Sequence, residues 1–217
     1  MKEPDRDMAS ADSGGAATEA ERAPVGAGTS ARVPKLRRPS RAELLAAYDR
    51  PVPDLVGPGL RVLLCGINPS LYSGWSGYHF AGPANRLWTT LHAAGFTAQR
   101  LHPSETPELL FAGIGVTNLV NRTTARADEL TGEELRAGVA PLVALVDRWR
   151  PRYVAFLGLS AYRSAFDRPK ATVGPQPERL VDAGVWLLPN PSGLNAHYQQ
   201  PALTAAYAEL RRAAYPE

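Results

Sequence analysis

Arg61-Val62-Leu63-Leu64-Cys65, followed at once by Gly66-Ile67-Asn68-Pro69-Ser70, is the stretch whose reading decides the fold. A short apolar run that breaks into Gly, Pro and Ser suits a buried strand leaving its sheet through a tight loop. Working outward, Asn85 to Ala94 places Leu87, Trp88 and Leu91 at helical spacing and stops at Gly95. Ser104 to Phe111 predicts a short helix and Gly115 to Val120 a second strand. Thr131 with Glu134 forms a capping box that opens a helix to about Trp149, with Pro141 as a kink. Tyr153–Leu157 predicts a third strand, Ser160–Phe166 a helix, Val185–Leu188 a fourth strand, and Pro201–Ala213 a last helix. Strands that alternate with helices build βαβ units. The expectation is an α/β fold: a three-layer α/β/α domain over residues 59–217 around a short parallel sheet of about four strands.

Upstream the character changes. Residues 40–58 read as a short helix and linker, with Ser40 as N-cap, Glu43 closing a capping box, and Pro51 and Pro53 as terminators. Residues 1–39 hold only Val25, Val33 and Leu36 among Leu, Ile, Val and Phe. Such a stretch cannot offset its chain entropy by burial, so a disordered tail is expected. Its end is basic, with Arg32, Lys35, Arg37, Arg38 and, just beyond, Arg41. This cluster reads either as a solvated linker or as a non-specific phosphate contact.

The chain has 217 residues, with 24 Lys+Arg against 21 Asp+Glu. No apolar run is long enough to span a membrane, and no apolar segment of a secretory signal stands near Met1, so a soluble cytoplasmic protein is expected. The single cysteine, Cys65, excludes an internal disulfide and any multi-cysteine metal cluster. A net charge of +3 is mild, but its distribution is uneven. No acid occurs between Asp54 and Glu105, where Arg61, Arg86 and Arg100 lie, nor between Asp182 and Glu209. Acid-free stretches suit a surface that approaches a polyanion; they also arise by chance in an Ala-, Gly- and Pro-rich chain.

Ligands of open α/β sheets bind beyond the carboxyl ends of the strands. Two such ends carry the same tripeptide, Asn68-Pro69-Ser70 after the first strand and Asn190-Pro191-Ser192 after the fourth. Each loop offers an amide, a rigid turn and backbone N–H groups, without a carboxylate or a metal-ligand pair. That chemistry is polar positioning and anion stabilisation. Thr117 and Asn118, ending the second strand, are expected to face the same cleft.

The block from Gly66 through Asn68-Pro69-Ser70-Leu71-Tyr72-Ser73 to His79-Phe80-Ala81-Gly82-Pro83-Ala84-Asn85-Arg86-Leu87-Trp88 resembles the first active-site segment of the mismatch-specific uracil/thymine DNA glycosylases. Asn190-Pro191-Ser192-Gly193-Leu194 resembles their second, DNA-inserting segment, and Gly115 to Thr124 resembles the stretch between, closer to the thymine-releasing branch. The resemblance spans roughly residues 59–212 and implies a uracil-DNA-glycosylase-like fold. It implies that Asn68 positions the attacking water and that the Ile67 and Phe80 backbone N–H groups face the pyrimidine oxygens. Phe80 would stack on the flipped base, Ser73 would limit space at pyrimidine C5, and Asn118 would contact the base or the water. Leu194 would fill the vacated stack, with Asn190, Ser192, Gly193 and Asn195 shaping that loop and reading the unpaired guanine. Asn195 and Ala196 depart from the small-residue-then-Arg pattern of the bacterial branch.

The resemblance thus implies a cofactor-free, metal-free monomer that hydrolyses the N-glycosidic bond of uracil, and of related modified pyrimidines, mispaired with guanine in double-stranded DNA. His79, beside Phe80, is a possible phosphate or base contact; His92 and His102 read as structural. Lys2, Lys35 and Lys170 all lie outside the two motifs, so an imine-forming lyase step is not expected. Two other readings stand beside this one. The first is a catalytically silent mismatch-binding protein. The second is a serine hydrolase using Ser160, Asp182 and His197, although Tyr162 replaces the second glycine of the nucleophile turn. Gly113-Ile114-Gly115 is too short a glycine pattern for a dinucleotide loop.

Overall fold

The computed structural model describes residues 37–216. The expected tail therefore lies, up to residue 36, outside the described residues. The elements run α1 (Arg41–Leu45), β1 (Val62–Gly66), α2 (Leu71–Ser76), α3 (Leu87–Ala93), β2 (Ile114–Asn118), α4 (Gly132–Ala137), α5 (Val139–Trp149), β3 (Tyr153–Leu157), α6 (Leu159–Phe166), β4 (Gly174–Leu180), β5 (Ala183–Leu188) and α7 (Gln200–Ala214). Short 3-10 turns occupy Pro103–Ala112 and Ala127–Glu129.

The strands form one sheet in the order β2-β1-β3-β5-β4. The first four are parallel, as the sequence predicts, and β4 adds an antiparallel edge against β5. Each parallel strand is buried on both faces because alternate side chains feed two cores. Val62, Leu64, Ile114, Val116, Leu157 and Leu188 pack with α3 and α7 residues such as Leu91, Leu203 and Tyr207. Leu63, Cys65, Val154, Phe156 and Leu187 pack on the other side with Leu135, Leu142, Val146 and Tyr162 of α4, α5 and α6. This is the three-layer arrangement. No described helix is long and apolar enough to cross a membrane.

Several boundaries differ from expectation for local reasons. The helix expected from Thr131 to Trp149 is two helices that meet at Gly138. Pro141 has no N–H to offer the Ala137 carbonyl, so the ladder breaks one turn ahead of the proline. The segment 40–58 is tied into the domain: Leu55 bridges Val116, the Asp49 N–H donates to the Thr123 carbonyl at 3.0 Å, and Ala47 and Val52 are fully buried.

Candidate functional site

β1, β3 and β5 are parallel, so the loops after β1 and β5 leave the same end of the sheet. The repeated tripeptide therefore meets itself across one cleft of about 710 Å³, lined by Ile67, Asn68, Ser70, Thr124, Asn190 and Leu194 among others. Each copy also builds its own turn. The Ser70 hydroxyl caps α2 by accepting from the Ser73 N–H, and the Asn190 Oδ1 accepts from the Ser192 N–H at 2.9 Å.

The orientation of the Asn68 amide follows from its partners. Its Nδ2 donates to the Arg122 carbonyl at 2.9 Å and to Thr124 Oγ1 at 2.7 Å. A carbonyl can only accept, and the Thr124 hydroxyl gives its one proton to the Arg126 carbonyl at 2.7 Å. Both contacts thus demand the NH2 group, and Oδ1 is left as the acceptor without a protein donor among the described residues. Arg122 is itself pinned by Glu134 at 2.8 Å and Asp49 at 3.0 Å. The result is a fixed neutral acceptor, suited to orient a water molecule and too weak to deprotonate one outright. Nothing in the sequence around Thr124 marks this contact. Its signal is the parallel bridge from Ser70 to Thr124, which exists only in three dimensions.

Beside Asn68, Gly66 lies opposite Asn118 in the β1–β2 register. A Cβ on Gly66 would stand 2.5 Å from Asn118 Oδ1 and 3.3 Å from the Phe80 ring, so only glycine lets these groups close on the strand end. Phe80 adopts φ 51°, a left-handed conformation that costs about 1–3 kcal/mol in a non-glycine residue. Its carbonyl is held by the Trp88 indole N–H at 3.3 Å. The Ile67 and Phe80 N–H groups have no protein acceptor among the described residues. Asn118 is 9% exposed, and its Nδ2 is buried without a partner. A buried orphan donor costs about 1–3 kcal/mol, which an acceptor on a bound ligand would recover. Ser73 is buried, with its hydroxyl between Ser70 Oγ at 3.3 Å and the Ala81 N–H at 3.4 Å.

The loop after β5 is a closed turn. Asn195 donates its N–H to the Ser192 carbonyl at 3.0 Å and its Nδ2 to the Asn190 carbonyl at 2.9 Å. Arg86, at the start of α3, fastens it from below. The guanidinium donates to the carbonyls of Tyr198 at 2.7 Å, Ser192 at 2.8 Å and Asn195 at 3.0 Å. Gly193 touches the neighbouring loop so closely that a Cβ would meet the Ala84 carbonyl at 2.7 Å. Leu194 then projects at the cleft rim, 83% exposed. An apolar side chain held out on a rigid turn is equipped to enter an apolar gap.

Comparison with known proteins bears on this arrangement directly. The model of the uracil DNA glycosylase superfamily matches residues 53–211, most of the chain and both loops. The chain belongs to the uracil DNA glycosylase superfamily. A Methanosarcina acetivorans protein, whose solution NMR structure was determined as a candidate uracil DNA glycosylase, superposes with a TM-score of 0.53. The alignment covers 76% of this chain and 99% of that one at 19% identity, a likeness of fold.

Within this superfamily member the structure redirects several expected site residues. Thr117 does not face the cleft: its hydroxyl donates to Asp54 Oδ1 at 2.7 Å. Neither Thr117 nor Asn118 lines the cleft itself; both border a neighbouring hollow with Asp54, and Asn118 lies against the strand end at Gly66. His79 is buried, and its Nε2 donates 2.9 Å to the Pro53 carbonyl, a strut to the preceding segment. Both backbone groups of Asn195 are engaged inside the loop, its carbonyl by Arg86, whereas Gly193 is exposed. The hydrolase triad is not assembled. Ser160 lines the cleft, but Asp182 precedes β5 at the far end of the sheet, paired with Arg150 at 2.5 Å. Six residues of β5 separate the two ends by about 20 Å. Among the described residues no group of three or more His, Cys, Asp or Glu could hold a metal ion.

Burial pushes the His79 pKa below its ordinary value. Between that depressed value and about 6.5, the unfolded chain binds a proton that the native state refuses. Acidification through this window therefore destabilises the fold. In urea titrations at pH 7.5 and 5.5, His79→Gln should lose less stability on acidification than the parent; an equal loss would contradict the assignment.

Proposed function

We propose that this chain is a monofunctional DNA glycosylase that hydrolyses the N-glycosidic bond of uracil mispaired with guanine in duplex DNA. The observation that carries the reading is the Asn68 amide in the cleft wall, locked by Arg122 and Thr124 through its Nδ2, with Oδ1 given no protein donor among the described residues. The target base lies inside the helix and must be rotated out, at a cost of a few kcal/mol that is smaller at a mismatch. Leu194 fills the space it leaves. The pyrimidine oxygens meet the N–H groups of Ile67 and Phe80, and the buried Asn118 amide completes the contact.

The C1′–N1 bond then breaks, and its electron pair leaves on the pyrimidine as the sugar becomes cationic. Donors aimed at that developing anion contribute on the order of 3–4 kcal/mol each when well placed. Water oriented by Asn68 Oδ1 bonds to C1′. Its proton passes to solvent or to the departing base, and the products are uracil and an abasic site. With a leaving group so stabilised, a neutral amide suffices in place of a carboxylate. On this reading the enzyme initiates base excision repair.

Product analysis tests the reaction type. A 5′-labelled strand carrying one uracil opposite guanine should remain intact after incubation and break only on alkali treatment. Borohydride should trap no protein–DNA adduct. Scission without alkali, or a trapped adduct, would contradict a monofunctional mechanism. Specificity at C5 has its own test. Ser73→Ala should raise thymine release relative to uracil release, by roughly tenfold for the space of one buried polar group. An unchanged ratio would refute steric exclusion.

A further inference from the structure

A second concave site lies beside the cleft and shares Asn85 with it. It is a groove of about 560 Å³, walled by Tyr72 and Trp75 of α2, by Trp88 of α3, and by Arg38, Arg100 and His102. Apart from Trp88, which holds the Phe80 carbonyl, none of these residues belongs to the site described above. The walls carry aromatic side chains, and the lining charges are arginines apart from a single carboxylate. Arg38 and Arg100 are exposed and pair with no acid among the described residues. The one lining carboxylate, Glu105, is occupied locally, with Oε2 accepting from the His102 N–H at 2.6 Å. Trp75 already displays its use as a platform: the Arg37 guanidinium, itself paired with Glu43, lies over its ring at 5.3 Å from the centroid. A planar, electron-rich face bordered by unpaired guanidiniums fits a nucleobase and its phosphate, the combination by which single strands are held without regard to sequence.

We propose that this groove is a second nucleotide subsite, which takes an unpaired segment of the DNA strand that continues past Asn85 from the cleft. Trp75 stacks on a base, and Arg38 and Arg100 hold the flanking phosphates. The proposal rests on the glycosylase reading only for the identity of the strand. The groove and the base site also share a wall, because Trp88 lines the groove while its indole N–H holds the Phe80 carbonyl. A strand seated in the groove thus lies against the residue that fixes the left-handed turn at Phe80.

The test is binding of the full chain to a fluorescein-labelled oligodeoxythymidylate, which contains no uracil and cannot be processed. Fluorescence anisotropy should show affinity weakened about tenfold in Trp75→Ala, the loss expected for one stacked base, and retained in Trp75→Phe. The double variant Arg38→Ala/Arg100→Ala should weaken binding and reduce the salt slope by roughly 1.4, about 0.7 for each phosphate released. Uracil release from a blunt U:G duplex should stay within about twofold of the parent in all three. Equal oligomer affinity in the parent, Trp75→Ala and the double-arginine variant would overturn the proposal. So would equal displacement by polyglutamate, which would leave charge alone, or full displacement by thymidine monophosphate, which would reassign the groove to a free nucleotide. Failure of the parent to release uracil while these binding differences persist would sink the glycosylase reading and spare the groove.

Discussion

Asn68→Ala is expected to release uracil from a guanine mismatch about 10³-fold more slowly than the parent in single-turnover assays, with mismatch affinity changed less than about threefold. The size follows from the role. A positioned group that manages the attacking water contributes about 10²–10⁴-fold, and on the proposed reading the donors at Ile67, Phe80 and Asn118 still stabilise the departing base. Thr124→Val separates orientation from identity. It keeps the volume but removes the acceptor that holds Asn68 Nδ2 at 2.7 Å, so the amide can turn its NH2 toward the cleft. A loss of roughly tenfold in kcat with KM unchanged is expected, and Thr124→Ser should restore most of it. If Thr124→Val matched the parent while Asn68→Ala was inactive, the locked-amide account would be wrong.

Arg86→Ala is expected to lower kcat/KM on the mismatched duplex about 100-fold and to lower Tm by roughly 4–12 °C. Arg86 supplies three hydrogen bonds to the carbonyls of Ser192, Asn195 and Tyr198. Their loss should cost about 2–3 kcal/mol, since solvent reaches an exposed turn and recovers part of each bond. The functional loss, about 2.7 kcal/mol for 100-fold, should be as large as the stability loss, because on the proposed reading the same turn presents Leu194. Arg86→Lys should rescue little: an ammonium on a flexible stem cannot span three carbonyls as a planar guanidinium does. Guanidinium ion added at millimolar concentration should partly restore Arg86→Ala. 2-Aminopurine next to the uracil should report reduced flipping in Arg86→Ala. Full flipping with slow release would show instead that Arg86 acts on the chemistry rather than the wedge.

Much of this was legible in the residues. The four parallel strands announce themselves as apolar runs, and the Asn-Pro-Ser pair at two strand ends marks the cleft before any geometry is known. β4 was not legible. Gly174-Pro175-Gln176-Pro177-Glu178-Arg179-Leu180 carries two prolines, which a strand tolerates only at an edge or a bulge, and the register against β5 shifts between Pro175 and Arg179. α2 hides in the same way, because Leu71 to Ser76 contains a glycine inside a loop-like stretch and is fixed by the Ser70 cap. The supporting residues are invisible for a different reason. Arg86 reaches carbonyls more than 100 positions away, and Thr124 matters only through where its single proton goes. The misplacement of Thr117 has a different origin: a polar residue at a strand end reads as a cleft residue, but Asp54, more than 60 positions away, takes its hydroxyl.

The central claim is that the chain excises uracil opposite guanine, and a single-turnover comparison tests it most directly. 5′-labelled duplexes with uracil opposite guanine, uracil opposite adenine and thymine opposite guanine, and single-stranded uracil, would be incubated at low salt and treated with alkali. The account predicts fastest cleavage of the uracil–guanine duplex, slower cleavage of uracil opposite adenine, and weak cleavage of thymine opposite guanine. Equal rates on the two uracil duplexes would contradict recognition of the widowed guanine, and no cleavage of any uracil substrate, with tight mismatch binding, would make this a binding protein rather than a glycosylase.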